Sequence, residues 1–238
     1  MDITIYTLTY NEEVLIEFFI KHYKKNFPNC KIVVFDNEST DNTKKIALDN
    51  GCEVITYTTE NTLSDVDYLQ IKNNCWKDSN TDWNIVCDCD ELISITKGEL
   101  QNEELNGTMV IKPKGYSLMN YDDNIILDNL KMGFRDIGFD KCVLFNKKFI
   151  KEINYSVGCH TCNPTTHDGV QVKFNVIEYK LLHYKYLHPD YTVNRHKMFG
   201  ERLSDENKKR GWGIHYQFTS NSIREYYENK RKELIEIL

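Results

Sequence analysis

Trp83-Asn84-Ile85-Val86-Cys87-Asp88-Cys89-Asp90-Glu91 decides how this chain is read. A mostly apolar, strand-like run leads straight into three carboxylates. Uncompensated negative charge is not tolerated at the end of a buried strand. A divalent cation would compensate it, and the cation would then hold an anion such as a diphosphate. Asp88 and Asp90 are two residues apart, so in extended backbone both side chains point the same way and can face one metal. Mg²⁺ or Mn²⁺ suits carboxylates and a diphosphate. The competing reading is a charged turn after a strand, and three acids in four residues weigh against it.

Upstream, strand and helix alternate. Asp2–Leu8 is apolar and β-branched, a first strand. Asn11 is placed to cap a helix whose first turn holds Glu12 and Glu13, with Ile16, Phe19, Ile20 and Tyr23 recurring at three and four. Lys31–Phe35 is the second strand. Ser39 or Thr40 starts the next helix, which Gly51 ends. Glu53–Tyr57 is the third strand. Asp65–Lys77 is a third helix with Val66, Leu69 and Ile71 inward, and Trp83–Cys87 is the fourth strand. This alternation predicts a parallel sheet with right-handed crossovers, its ligands lying beyond the carboxyl ends of the strands.

Downstream of about residue 95 the rhythm changes. Thr108–Lys112, Ser117–Tyr121, Lys141–Phe145 and Val176–His183 read as strands, then Asp190–Lys209 and Ser222–Leu238 as helices. Ile223, Tyr227, Leu234 and Ile237 form an apolar face on the last of these, a candidate peripheral contact with a partner or membrane. With 238 residues and neither repeat nor linker, one domain over 1–238 is expected, with a nucleotide-binding half (1–107) and an acceptor-binding half (108–238).

A net charge of −6 without a basic arm argues against nucleic acid as a partner. The N-terminus does not read as a signal peptide, and no window reaches the roughly 20 apolar residues of a bilayer span. The expected setting is therefore cytoplasmic, including the inner face of a membrane, with the eight cysteines reduced. Cys159-His160-Thr161-Cys162 is a zinc or redox candidate that lacks close further ligands, His167 being the nearest. No Gly-x-Gly-x-x-Gly or Gly-x-x-x-x-Gly-Lys-Ser/Thr occurs, which disfavours dinucleotide and P-loop enzymes.

Polar clusters follow strands one, two and four. Asp36, in Asp36-Asn37-Glu38-Ser39-Thr40-Asp41, can accept hydrogen bonds from a ribose or base, while Ser39 or Thr40 caps. Thr9-Tyr10-Asn11-Glu12 is the matching element after strand one. His183 can complete a metal shell, and Lys185 can neutralise a leaving diphosphate. His215 is a second candidate for the role given to His183, and His160, Asp168, Asp136 and Asp140 are available as an acceptor base, among which spacing alone does not choose.

These motifs together resemble a family 2-type glycosyltransferase of the GT-A fold. The resemblance rests on Thr7-Leu8-Thr9-Tyr10-Asn11-Glu12, Phe35-Asp36-Asn37-Glu38-Ser39-Thr40-Asp41 and Asp88-Cys89-Asp90-Glu91. It continues through Leu181-Leu182-His183-Tyr184-Lys185-Tyr186 and Arg202-Leu203-Ser204 to Gly211-Trp212-Gly213. It implies an α/β fold: a mostly parallel central sheet flanked by helices, a smaller antiparallel part and C-terminal helices. It further implies Mn²⁺- or Mg²⁺-dependent transfer of a hexose from a nucleotide-diphosphate sugar, a UDP-sugar first, to a glycan or glycolipid hydroxyl with inversion. Thr9, Asn11, Glu12, Asp36, Ser39, Lys72 and Asp88 would hold the nucleotide, and Asp88, Asp90 and His183 the metal. Asp168, His160, Asp123 and Lys185 are the catalytic candidates; Asp122-Asp123 has the look of the family's base pair without a clean match. A nucleotidyltransferase and a non-catalytic glycan-binding module are the rival readings. The donor sugar, acceptor and oligomeric state are open.

Overall fold

A computed structural model describes residues 2–238; Met1, where the single-domain reading begins, lies outside them. β1 (Ile3–Thr9), β2 (Lys31–Asp36), β3 (Glu53–Thr56) and β4 (Trp83–Val86) pair in parallel, in the order β3-β2-β1-β4. α1 (Ile16–Asn26), α2 (Thr43–Asp49) and α3 (Asp65–Asn74) make the crossovers. Two strands from later in the chain extend this sheet antiparallel: β9 (Leu144–Asn146) beside β4, then β6 (Val110–Ile111). β1 and β4 are buried throughout, as a sheet covered on both faces requires.

A second sheet runs β13-β8-β7-β12-β5, formed by β5 (Glu91–Ser94), β7 (Lys114–Met119), β8 (Met132–Arg135), β12 (Lys180–Tyr186) and β13 (Ile235–Glu236). β10 (Ile150–Glu152) and β11 (Thr165–Thr166) form a small hairpin, and α4 (Lys97–Leu105) starts with a full Thr96/Glu99 capping box. The C-terminal helices are α5 (Pro189–Arg202), α6 (Asp205–Arg210) and α7 (Ser220–Lys230). The sheets exchange strands between the two portions of the chain. β5 comes from the first portion but pairs with β12, and β9 and β6 come from the second but pair with β4. The main apolar core accordingly runs from Ile3 to Ile237. This is the expected α/β layout, with a largely parallel sheet, flanking helices and C-terminal helices.

Several local expectations are corrected. Asn11 does not cap α1. Its backbone is left-handed (φ 54°), and its Oδ1 accepts from Thr40 N–H (2.8 Å) and Asp41 N–H (3.3 Å), tying the loops after β1 and β2 together. With residues 37–42 engaged this way, α2 starts at Thr43, whose N–H is capped by Asp41 (2.9 Å). On α3, Val66 is exposed while Lys72 is buried, at 4% exposure, the reverse of an apolar-face reading. The helix expected over Asp190–Lys209 breaks at Leu203-Ser204, where Leu63 N–H donates to Arg202 C=O and Ser204 N–H to Leu63 C=O; Ser204 then caps α6. The strand expected from Val176 starts at Lys180, and Val176 is 92% exposed. The last helix stops at Lys230, and the chain ends by pairing Ile235 with Gly133. Ile223 and Tyr227 pack on Met119 and Phe134, and Ile237 joins the main core, so the face offered as a peripheral contact is covered by the protein itself.

Candidate active site

Beyond the carboxyl ends of β1 and β4 lies a cleft of about 620 Å³. Parallel pairing of β1 with β4 sets Tyr6 beside Val86, which brings the Tyr10–Glu12 turn and Asp88–Glu91 to one rim. The second sheet closes over it. His183 lies directly opposite Glu91 in the β12–β5 ladder and opposite Ser117 in the β12–β7 ladder. Tyr184 N–H donates to Asp90 C=O (2.7 Å), fixing the acidic turn against β12.

Asp90, Glu91 and His183 are all buried, and each offers a ligand atom within 4.8 Å of the others. Two carboxylates and an imidazole are a donor set that fits Mn²⁺. Among the described residues this is the one such group, so Cys159, His160 and Cys162 assemble no metal knuckle. His183 is stacked on Phe139 (3.8 Å between ring centroids) and faces Asp90 at 3.4 Å. Asp88 stands apart from the trio, engaged by Lys72 (2.5 Å) and more distantly by Lys141 (3.7 Å). Glu91 is held by Lys141. Arg195 bridges Glu12 (2.5 Å) and Asp90 (3.1 Å).

Charge balance explains the titration behaviour of these groups. Burial pushes Asp90 up, but Arg195 and His183 outweigh it and hold the carboxyl well below its usual range. Asp88 is lowered likewise, burial being overcome by Lys72 and Lys141. Glu12 goes the other way: burial pushes it up to about 8 despite Arg195, with Asp90 adding to the rise. Burial lowers Lys185 to about 8, and no carboxylate lies within ion-pair distance of it among the described residues. His196 is lowered to about 4 and His215 to about 3, both first by burial and then by Lys185.

Of the nucleotide-holding candidates, Glu12, Lys72 and Asp88 line the cleft. Thr9, Asn11, Asp36 and Ser39 lie in or beside the β1/β2 rim behind it. Asp36 Oδ2 accepts from Ser39 N–H (3.1 Å), Ser39 Oγ accepts from Asn11 N–H (3.0 Å), and Thr9 Oγ1 donates to Phe35 C=O (3.5 Å). Of the catalytic candidates, His160 and Lys185 line the cleft. Asp168 is exposed in the turn beyond β11, accepting from Val170 N–H, and Asp123 is exposed beside His188. Neither lines the cleft. Asp136 bonds Ser117 and Asp140 pairs with Arg135, while His215 does line it.

Three residues of the site escaped sequence reasoning: Lys141, Arg195 and His196. Lys141 gives no signal, being a lysine before an apolar run. For α5 a signal exists. Thr192, Arg195 or His196, Phe199 and Arg202 recur at three and four, and this polar-bearing face is buried or nearly so.

A largely parallel α/β sheet with acidic strand ends, closed by a second, mostly antiparallel sheet and C-terminal helices, is the GT-A architecture. Residues 4–101 match the model of the family described as glycosyl transferase family 2. Protein RfbJ of Shigella flexneri is 47% identical over 45 residues, which is 19% of this chain and 35% of that protein. The match thus spans about a third of that relative's length. The solved structure of S. aureus TarS 1–349 in complex with UDP superposes with a TM-score of 0.50 at 13% identity, covering 97% of this chain and 71% of that one. A glucosyl-3-phosphoglycerate synthase from Mycobacterium tuberculosis, solved with Mn²⁺, uridine diphosphate and glucosyl-3-phosphoglycerate, gives 0.35 at 18% identity over 49% of this chain and 44% of that one. At such identities the TarS likeness concerns the fold. Among the described residues no helix is long and apolar enough to cross a membrane.

Proposed function

We propose that this chain transfers a hexose from a nucleotide-diphosphate sugar to a glycan hydroxyl, with inversion, the donor resting on residues 1–107 and the acceptor on 108–238. The observation that carries the reading is the buried group Asp90, Glu91 and His183 at the strand ends, set in a cleft that also presents Lys185. A bound Mn²⁺ or Mg²⁺ would supply positive charge against the departing diphosphate. Asp90 and His183 would hold that ion, with Glu91 as the third ligand and Asp88 held in place by Lys72.

Lys185, charged below about pH 8 and without a carboxylate partner, is free to meet a phosphate oxygen. His160 is the cleft-lining base among the catalytic candidates. Its Nδ1 lies 2.6 Å from Gly138 C=O, and a carbonyl only accepts, so Nδ1 carries the proton and Nε2 keeps a free lone pair. The loop that presents it needs Gly158: φ is +68°, and a Cβ there would sit 2.7 Å from the His160 ring. In the reaction the acceptor oxygen attacks the anomeric carbon and its proton passes to His160 Nε2. The bond to the diphosphate oxygen breaks on the opposite face, and Lys185 stabilises the charge left there.

The test is to incubate the chain with a panel of nucleotide sugars and, separately, nucleoside triphosphates, with and without chelator. Release of nucleoside diphosphate from a sugar donor, lost on chelation and with Asp90→Asn, is expected. Consumption of triphosphates alone, or transfer indifferent to chelation, would sink the reading.

A further inference from the structure

Behind the cleft, a hydroxyl and a carboxylate stand in line with the ring of His183. Ser117 lies opposite His183 in the β12–β7 ladder and is fully buried. Its Oγ is 2.8 Å from Asp136 Oδ2 and 3.4 Å from His183 Nδ1. The other ring nitrogen, Nε2, faces Asp90 Oδ2 at 3.4 Å. Four side chains from four segments thus form one line, Asp136–Ser117–His183–Asp90. Ser117 and Asp136 are not part of the cleft lining, so what they do there they do through the ring.

The chemistry of the groups sets the direction of these bonds. A hydroxyl has one proton to give. Asp136 takes it, because that contact is the shorter one and is charge-assisted. The oxygen then has only a lone pair to offer the ring, so His183 donates from Nδ1–H. A neutral imidazole protonated on Nδ1 keeps its free lone pair on Nε2, the nitrogen turned toward Asp90. A lone pair aimed at a carboxylate is repelled by it, and a cation between the two would bind both. The ring is held by its face as well, through the stack with Phe139, and that stack depends on Gly115. Residues 135–140 lie across β7: Asp136 N–H donates to Gly115 C=O (3.0 Å), and Asp140 Oδ1 accepts from Gly115 N–H (2.8 Å). A Cβ on Gly115 would stand 2.5 Å from Phe139 Cβ. One stretch of chain therefore supplies both the carboxylate behind the ring and the aromatic over its face.

We propose that Asp136 is a positioning residue that, through the Ser117 hydroxyl, fixes the tautomer of His183 and reserves Nε2 for the metal ion. This rests on the metal-site reading above. It takes Asp136 out of the acceptor bases and gives it a task for which its place behind the ring is suited. A histidine ligand whose far nitrogen is held in this way is oriented and made a better donor, and loss of the holding group lowers metal affinity by roughly 10–100-fold.

Long-range proton–nitrogen correlation spectra of the full chain, isotopically labelled at its histidine nitrogens, report which ring nitrogen carries the proton, and His183→Gln assigns the signal. In the wild type without added metal, Nδ1 is expected to stay protonated when the ring is neutral. In Ser117→Ala the ring loses its acceptor. In Asp136→Ala the hydroxyl proton is released and can turn to Nδ1. Either change leaves Asp90 to choose, so the proton is expected to move to Nε2, which a merely structural role for these residues would not bring about. Mn²⁺ alone, titrated by its paramagnetic broadening of the His183 signals, is expected to bind each variant about tenfold more weakly than the wild type. Asp136 is only half-buried, so Asp136→Ala and the wild-type tautomer carry the test should Ser117→Ala fail to fold. A neutral wild-type ring protonated on Nε2, a tautomer unmoved by the substitutions, or an unmoved Mn²⁺ affinity would overturn the assignment while leaving the metal site standing. Mn²⁺ that leaves the wild-type His183 signals unbroadened would overturn both.

Discussion

The two portions of the chain bring opposite charge to one cleft. Residues 2–107 supply the acids, Glu12, Asp65, Asp88, Asp90 and Glu91. Residues 108–238 supply Lys141, His183, Lys185 and Arg195, and Lys72 is the single cation from the first portion. The acids are packed into short turns at strand ends. The cations are spread from a loop before β9 to the middle of α5. Asp88 meets Lys72 from its own portion, but Glu12, Asp90 and Glu91 meet their cations only when the second sheet and α5 close onto the first sheet. Folding and site assembly are therefore one event here. The sharpest way to break the comparison is to remove a charge that spans the junction.

Arg195→Met gives the largest expected effect. It leaves Glu12 and Asp90 buried without their guanidinium, and breaking a buried pair by removing one partner costs about 3–5 kcal/mol. Urea titration should show that loss. Glu12, raised to about 8, is already largely protonated at neutral pH, so adding Glu12→Gln should cost little more than Arg195→Met alone. Two losses that simply add would mean that Glu12 and Arg195 are not energetically coupled.

Asp90→Asn comes next. It removes one ligand of the metal trio while keeping shape and burial, so turnover is expected to fall roughly 10²–10³-fold, the scale of losing one electrostatic contact in a preorganised site. The Mn²⁺-induced rise in melting temperature should vanish with it, while far-UV circular dichroism stays that of the wild type. A variant that keeps the Mn²⁺ shift would remove Asp90 from the metal site.

The same asymmetry explains what the sequence discloses. The acidic half is legible because parallel strands place their carboxyl ends on one edge, so three local clusters after β1, β2 and β4 can be summed without knowing any long-range contact. Lys141 and Arg195 are illegible because their partners lie 50 and 183 residues away in sequence, and only the pairing of β9 and the docking of α5 bring them in. Lys72 was readable as a basic residue on the third helix, but its burial was not, since the helix looks apolar at Val66 and Ile71 instead. Ser39 and Asn11 mislead for a different reason. Helix-capping residue types also bond to other loops, and here the loop-to-loop bonds displaced the caps.

Acidification acts on both sides of the site: Glu12, raised to about 8, adds stability as pH falls towards 4.5, whereas the buried histidines lose it over part of the same range. His196 has both ring nitrogens unpartnered, and its ionisation falls from the usual 6.5 to about 4 because burial disfavours the charged ring. Between those values the unfolded chain binds a proton that the folded chain refuses, so stability rises with pH across the window and falls on acidification. The loss from pH 7 to 4 is expected to reach as much as ~3 kcal/mol for this group. Asp88 and Asp90, being lowered, act only below about pH 4, so they do not confound the window. The pH dependence of the denaturant midpoint across it should differ between His196→Gln and the wild type by this amount; an identical dependence would show that the ring is not held neutral.

The smallest effect supplies the control. Lys77 and Glu152 form an ion pair across the same two portions of the chain, at 2.7 Å, but both side chains are more than a third exposed. Geometry and sequence separation match the buried pairs, and only the surroundings differ. In water the Coulomb attraction is screened and neither ion has been desolvated, so removing one partner strands nothing. Lys77→Met is therefore expected to change stability by less than about 1 kcal/mol, with sensitivity to salt, while Arg195→Met keeps its cost at high ionic strength. If Lys77→Met proved as damaging as Arg195→Met, the junction would be held by cross-strand geometry, and the burial of opposite charge would not be what welds acids to cations.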